Sequence, residues 1–97
     1  MRVRRNIRTI WEYINTTFEP QEVEEALSET VAGTQLDNQR MTREAIGRLS
    51  DEDAISLLFN LSYMVVNEFF DGDWETWQEV LKYKLKFDEE TIDFLNY

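Results

Sequence analysis

The sequence predicts an all-α protein: a small single-domain helical bundle over residues 1–97, with about five helices around a central apolar helix at residues 51–70. Three observations carry that expectation. Apolar residues recur at steps of three and four along most of the chain, the spacing of one helix face. The densest apolar run, Ala54 to Asn67, holds fourteen residues without a formal charge and is shorter than the roughly 18 to 20 needed to span a bilayer. No hairpin signal joins two alternating segments, and Asp71-Gly72 separates two helical patterns.

Taken in order, the first helix is marked by Val3, Ile7, Ile10, Trp11, Ile14 and Phe18. It should stop near Phe18, because Pro20 disfavours helical geometry at Glu19 and suits the first turn of a following helix. That second helix, PQEVEEALSETVAG, sets Val23, Ala26, Leu27, Thr30 and Val31 on one side and Glu22, Glu25 and Glu29 on the other, with Gly33 as its C-cap. A polar connection, TQLDNQ, follows, and Thr42 is placed to cap a short helix through Ala45, Ile46 and Leu49.

Ser50 suits the N-cap of the central helix, Asp53 stands in for the Glu of a capping box, and Asp51 and Glu52 complement the helix dipole. Beyond them, apolar residues from Ala54 to Phe70 leave no wide polar face, so this helix is expected to be surrounded by others. Gly72 ends it and Asp73 caps the next, in which Trp74, Trp77, Leu81 and Leu85 form one stripe. A strand over Val80–Phe87 is the competing reading, since that stretch partly alternates; Trp74 and Trp77 fit a helix better. Asp88 is the cap of a last short helix holding Ile92 and Leu95.

Composition narrows the chemistry. At 42% apolar and 13% aromatic the chain has enough to build one core. There is no Cys, hence no disulfide framework and no thiolate metal site. There is no His either, which removes imidazole-based nucleophile pairs and the usual zinc sites. The basic start, MRVRRNIRTIW, runs into an amphipathic pattern and not the apolar core of a signal peptide. The expected location is the cytoplasm, that of the host cell if the chain is phage-encoded.

The formal net charge is −10, from twenty acids and ten bases. Four of the bases are Arg2, Arg4, Arg5 and Arg8, so the remainder is more acidic than the total suggests. Helix caps and dipoles use one or two acids per helix start, and the excess sits on outer faces. Direct nucleic-acid binding is disfavoured by that charge, and the arginines are expected to pair with acids of a neighbouring helix or of a second subunit.

Two acidic patterns suggest a cation. DGDWETWQE has acids at Asp71, Asp73 and Glu75, but a calcium loop started at Asp71 would need Gly where Thr76 stands and Glu where Lys82 stands. Glu22, Glu25 and Glu29 on one helix, with Glu68 and Asp71 at the end of another, are placed to gather a magnesium ion, and their E-x-x-E and E-x-x-D spacings resemble those of MazG-type all-α nucleotide pyrophosphohydrolases, though the interval from Glu25 to Glu68 departs from that family. The resemblance implies a magnesium-dependent hydrolase as the alternative function. A structural or regulatory helical adaptor is another.

The preferred expectation is a binding protein and not an enzyme, with no cofactor and no metal. In size, acidity and helicity the chain resembles small acidic inhibitors such as phage anti-restriction and anti-CRISPR proteins and nuclease immunity proteins. That likeness implies a protein partner with a basic surface, such as a nucleic-acid-binding enzyme, whose phosphate sites the carboxylates would fill. The candidate contact residues are Glu22, Glu25, Glu29, Asp71, Asp73, Trp74, Glu75, Trp77 and Glu79. Trp and Tyr anchor interfaces, whereas the apolar stripe gives Trp74 and Trp77 a core role as the other reading. A homodimer is compatible with the pattern.

Overall fold

Helical periodicity is realised throughout the computed structural model, which describes residues 2–28 and 43–95. The described elements are α1 (Val3–Thr17), α2 (Pro20–Ser28), α3 (Arg43–Gly47), α4 (Asp51–Phe69), α5 (Trp74–Glu79), a π-helical turn (Val80–Lys84) and α6 (Glu89–Leu95). Among the described residues there are thus six α-helices and no strand, one helix more than the expected five. Thr30, Val31, Gly33 and Thr42, to which the sequence assigned a face or a cap, lie outside the described residues.

Local chemistry sets the helix ends. Phe18 is extended after α1, and its N–H closes on the Ile14 carbonyl at 3.0 Å, so Pro20 can open α2. The Ser50 hydroxyl accepts from the Asp53 N–H at 3.1 Å, the cap expected for α4. The chain leaves α4 through Asp71 and Gly72, both at positive φ (53° and 82°), and the Gly72 N–H returns to the Val66 carbonyl at 2.9 Å. Asp73 then caps α5 by accepting from the Thr76 N–H at 3.2 Å and its hydroxyl at 2.6 Å. Asp88 caps α6 through the Thr91 N–H at 3.0 Å.

The ambiguous Val80–Phe87 segment is helical, but wider than an α-helix. Leu85 N–H reaches back five residues to the Val80 carbonyl at 2.9 Å. The helix that begins at Trp74 therefore continues to Lys84, burying Leu81 and half-burying Leu85. Lys86, at φ 60°, ends it.

One apolar cluster draws on every helix: Ile7, Ile10 and Ile14 of α1, Val23 and Ala26 of α2, Ile46 of α3, the inner side of α4, Trp77 of α5 and Leu95 of α6. α1 lies along α4 in the most extensive helix pairing. At one end of that pair Phe18 stacks on Phe69 at 4.0 Å, with Phe70, Tyr13 and Trp77 closing an aromatic knot around them. At the other end Arg4 donates to the Leu49 carbonyl at 2.8 Å and to Asp51 at 2.9 Å.

The central helix differs from expectation in one respect. Leu57, Leu58, Leu61, Met64, Val65 and Val66 are buried, as a core helix requires. Ile55 and Tyr63, however, are 39% and 37% exposed, and Phe59 is half-buried. Among the described residues, the helices packed on α4 thus leave one apolar edge of it open.

Candidate partner-binding surface

The acids of α2 are positioned by the burial of its opposite side. Val23 and Ala26 face the core, which leaves Glu22 and Glu25 exposed, together with Glu24. Glu29 lies outside the described residues. The second acidic group surrounds the α4–α5 turn. Asp71, Asp73, Glu75 and Glu79 are all exposed. The Phe18–Phe69 stack sets the α1–α2 turn beside the end of α4, so the start of α2 and the Asp71 turn share one end of the bundle.

These acids do not have equal freedom. Asp73 is held by Thr76, whose hydroxyl and then amide hydrogen bonds pull its carboxyl below the ordinary carboxylate value. The same is true of Asp88 with Thr91. Both carboxylates are therefore structural caps first. Glu22, Glu25, Asp71, Glu75 and Glu79 project from helix faces or turns with no ion-pair partner among the described residues.

Compensation by bases is sparse. Among the described residues the ion pairs are Arg4–Asp51 at 2.9 Å and the loose, exposed Arg48–Glu44 pair at 4.0 Å. Among the described residues, Arg4 is the N-terminal arginine that makes the expected pairing with a neighbouring helix. Arg2 and Arg5 line a groove of about 430 Å³ with Lys86 and Asp88. The Lys84 ammonium lies over the Tyr13 ring at 5.5 Å, and that of Lys82 over Tyr83 at 5.4 Å.

The two tryptophans of the candidate set part company. Trp77 is fully buried, and its indole N–H donates to the buried Ser62 hydroxyl at 2.6 Å. It has no surface to offer a partner, and its place on the apolar stripe is the role it fills. Trp74 is half-buried and meets Tyr63 edge-on, with centroids 5.0 Å apart. It stands at the border of the open side of α4.

The chain matches no family model, no curated protein and no solved structure. Geometry therefore carries the functional reading. Among the described residues no three carboxylates gather as a cation site, and the Glu22/Glu25 and Glu68/Asp71 pairs do not converge on one. No described helix is long and apolar enough to cross a membrane.

Sequence reasoning missed one surface. Ile55, Phe59 and Phe94, with Glu52, Ser56 and Asn60, line a groove of about 580 Å³ between α4 and α6. Phe59 packs on Tyr63 at 4.9 Å and edge-on to Phe94 at 5.9 Å, which extends the apolar strip to Trp74. On the other side of α6, Glu75, Glu79, Glu89 and Asp93 line a second groove of about 540 Å³ with Ile92, Tyr83 and Lys82. The available signal was the i, i+4, i+8 series Ile55, Phe59, Tyr63, which lies apart from the Leu57, Leu58 and Leu61 side of the same helix.

Proposed function

We propose that this protein is a small acidic binding module, acting in the cytoplasm, whose outer carboxylates occupy a basic surface of a partner protein, of the kind that otherwise holds a nucleic-acid backbone. The carrying observation is the uncompensated charge. Apart from Asp51 and Glu44, no acid among the described residues has an ion-pair partner, on a chain of net charge −10. Carboxylates spaced along α2 and around the α4–α5 turn can stand where phosphates would, and complementary charge speeds and orients docking. In this reading the protein inhibits or regulates a nucleic-acid-binding enzyme, as small anti-restriction, anti-CRISPR and nuclease immunity proteins do. The pyrophosphohydrolase reading would rest on converging carboxylates, and the described acids do not converge.

The test is immobilisation of the protein against lysate of its source, with bound proteins released by salt or by a competing DNA duplex and identified by mass spectrometry. The expected catch is a basic nucleic-acid-binding protein that both treatments release. Glu22→Lys with Glu25→Lys, and separately Glu75→Lys with Glu79→Lys, should weaken capture while leaving the melting temperature nearly unchanged, since all four positions are exposed. Equal binding by parent and both double variants in low salt would reduce the acidic surface to a solubility device.

A further inference from the structure

Three bases gather where the acidic surface does not reach. Arg2 and Arg5 stand three positions apart at the start of α1, on one helix face, and Lys86 follows the π turn; all three are exposed and line one groove of about 430 Å³. Among the described residues none of the three has an ion-pair partner, whereas the neighbouring Arg4 is held by Asp51 and the Leu49 carbonyl. The groove lies at the far end of α1 from the α1–α2 turn, roughly 20 Å along a helix of 15 residues. α1 has no acid in its first turn, so its dipole adds positive potential at that end.

The backbone at Lys86 is a second, independent observation. Lys86 sits at φ 60°, and the following Phe87 N–H returns to the Leu81 carbonyl at 2.8 Å, a helix stop at which glycine is the usual residue. The other non-glycine residue at positive φ, Asp71, is of a type that tolerates this conformation, and lysine is not. A base is thus kept at a strained position that opens onto Arg2 and Arg5, and such outliers gather at binding sites. Asp88 is the one acid lining the groove, and its carboxylate already accepts from the Thr91 N–H at 3.0 Å as the cap of α6. Three bases against one acid leave two positive charges, which balance a phosphate monoester of charge about −2. Two guanidinium forks and an ammonium also match its three oxygens, where a lone carboxylate would leave a base unmatched. Half-buried Leu85 and Phe87 give the rest of such a ligand an apolar seat.

From this juxtaposition we infer that the groove between the start of α1 and the π turn binds a small phosphate monoester of mononucleotide size, its phosphate held by Arg2, Arg5 and Lys86 and its organic part seated on Leu85 and Phe87. A small ligand suits the site better than a polyanion, which would meet the repulsion of a chain carrying −10. The site stands apart from the acidic-module reading, and neither needs the other.

The experiment uses the full chain, labelled with nitrogen-15, and three probes at matched ionic strength: adenosine 5′-monophosphate, inorganic phosphate and adenosine. The nucleotide is expected to shift the backbone amide signals of Arg5, Lys86 and Phe87 in a saturable way. Inorganic phosphate should displace it while binding about tenfold more weakly, and adenosine should leave these signals in place. Arg5→Gln should raise the dissociation constant for the nucleotide about tenfold or more with folding intact, because Arg5 is exposed. Lys86→Gly separates binding from folding: it should weaken the nucleotide about tenfold yet raise the melting temperature, since glycine adopts positive φ without strain. Arg8→Gln, at an exposed arginine that does not line the groove, should leave the affinity unchanged.

A nucleotide response that does not saturate, or that spares Arg5 and Lys86, would overturn the inference. So would adenosine or inorganic phosphate binding as tightly as the nucleotide, since the first would leave the phosphate unread and the second the organic part. Equal losses in Arg8→Gln and Arg5→Gln would reduce the effect to overall charge, and full affinity in Lys86→Gly would remove the lysine from the site. Sedimentation showing a dimer of this chain that Arg5→Gln disperses would hand the groove to the carboxylates of a second copy and sink the small-ligand reading.

Discussion

At the scale of single residues, Ser62 and Trp77 show how a polar pair is tolerated in the interior. Both are fully buried, and each would be an orphan without the other's partnership at 2.6 Å. Ser62→Ala should therefore cost about 1 to 3 kcal/mol, the penalty for a buried donor left without an acceptor, although Ala is the better helix former. Thermal or denaturant unfolding measures this directly, and a neutral result would mean the indole N–H finds another acceptor. Leu61, one position earlier, fails by a different mechanism. It is fully buried among apolar neighbours, and Leu61→Ala should cost about 2 to 5 kcal/mol through the cavity it leaves. A loss well under 1 kcal/mol would show that this stretch of α4 can collapse onto the gap. Lone exposed charges stand at the opposite extreme: Arg48–Glu44, at 4.0 Å and mostly in water, contributes little.

At the scale of elements, the short helices depend on their caps more than the long ones do. α5 and α6 have six and seven residues, too few to be stable alone, and each begins at an aspartate that accepts from the residue three positions on. Threonine hydroxyl and amide donors stabilise the ionised carboxylates, so Asp73 and Asp88 hold protons less readily in the folded chain than in the unfolded one. The sign follows from linkage. Their contribution is fully present above the ordinary carboxylate value, about 3.9, and is lost as pH falls through the depressed folded values. Melting temperature followed from pH 6 downward should drop below about pH 4, and a variant with Asp73→Asn and Asp88→Asn, which caps without titrating, should show a shallower acid limb. Identical acid limbs in parent and variant would show that these caps do not couple to protonation.

At the scale of the whole molecule, charge opposes folding and favours partners. The −10 chain carries few internal ion pairs among its described residues, so its acids repel one another across the surface. Salt shortens the reach of that repulsion from about 30 Å at 0.01 M to about 8 Å at 0.15 M. The melting temperature should rise over that range, while capture of a basic partner should weaken. A melting temperature that falls with salt would mean that attractive pairs, not repulsion, dominate the surface. The Glu22→Lys/Glu25→Lys variant should show a smaller rise than the parent, since part of the repulsion is gone.

What the sequence determined by itself is local. Helix starts at Ser50, Asp73 and Asp88, the stop near Phe18 and the break at Gly72 were legible because a cap or a turn is made by residues three or four positions apart. The charge excess was legible because it needs only counting. Tertiary structure alone decided which candidate residues share a surface. It buried Trp77 and left Trp74 at the edge, paired Arg4 with Asp51 but not its fellow arginines, and widened Val80–Lys84 into a π turn. It also left Ile55, Phe59 and Tyr63 uncovered. The physical reason is that α4 is apolar over most of its circumference, with only a narrow polar strip at Ser56, Asn60 and Asn67, so its periodicity does not say which apolar edge its neighbours will cover. Which side meets water depends on how the helices packed on α4, from both before and after it along the chain, reach around it.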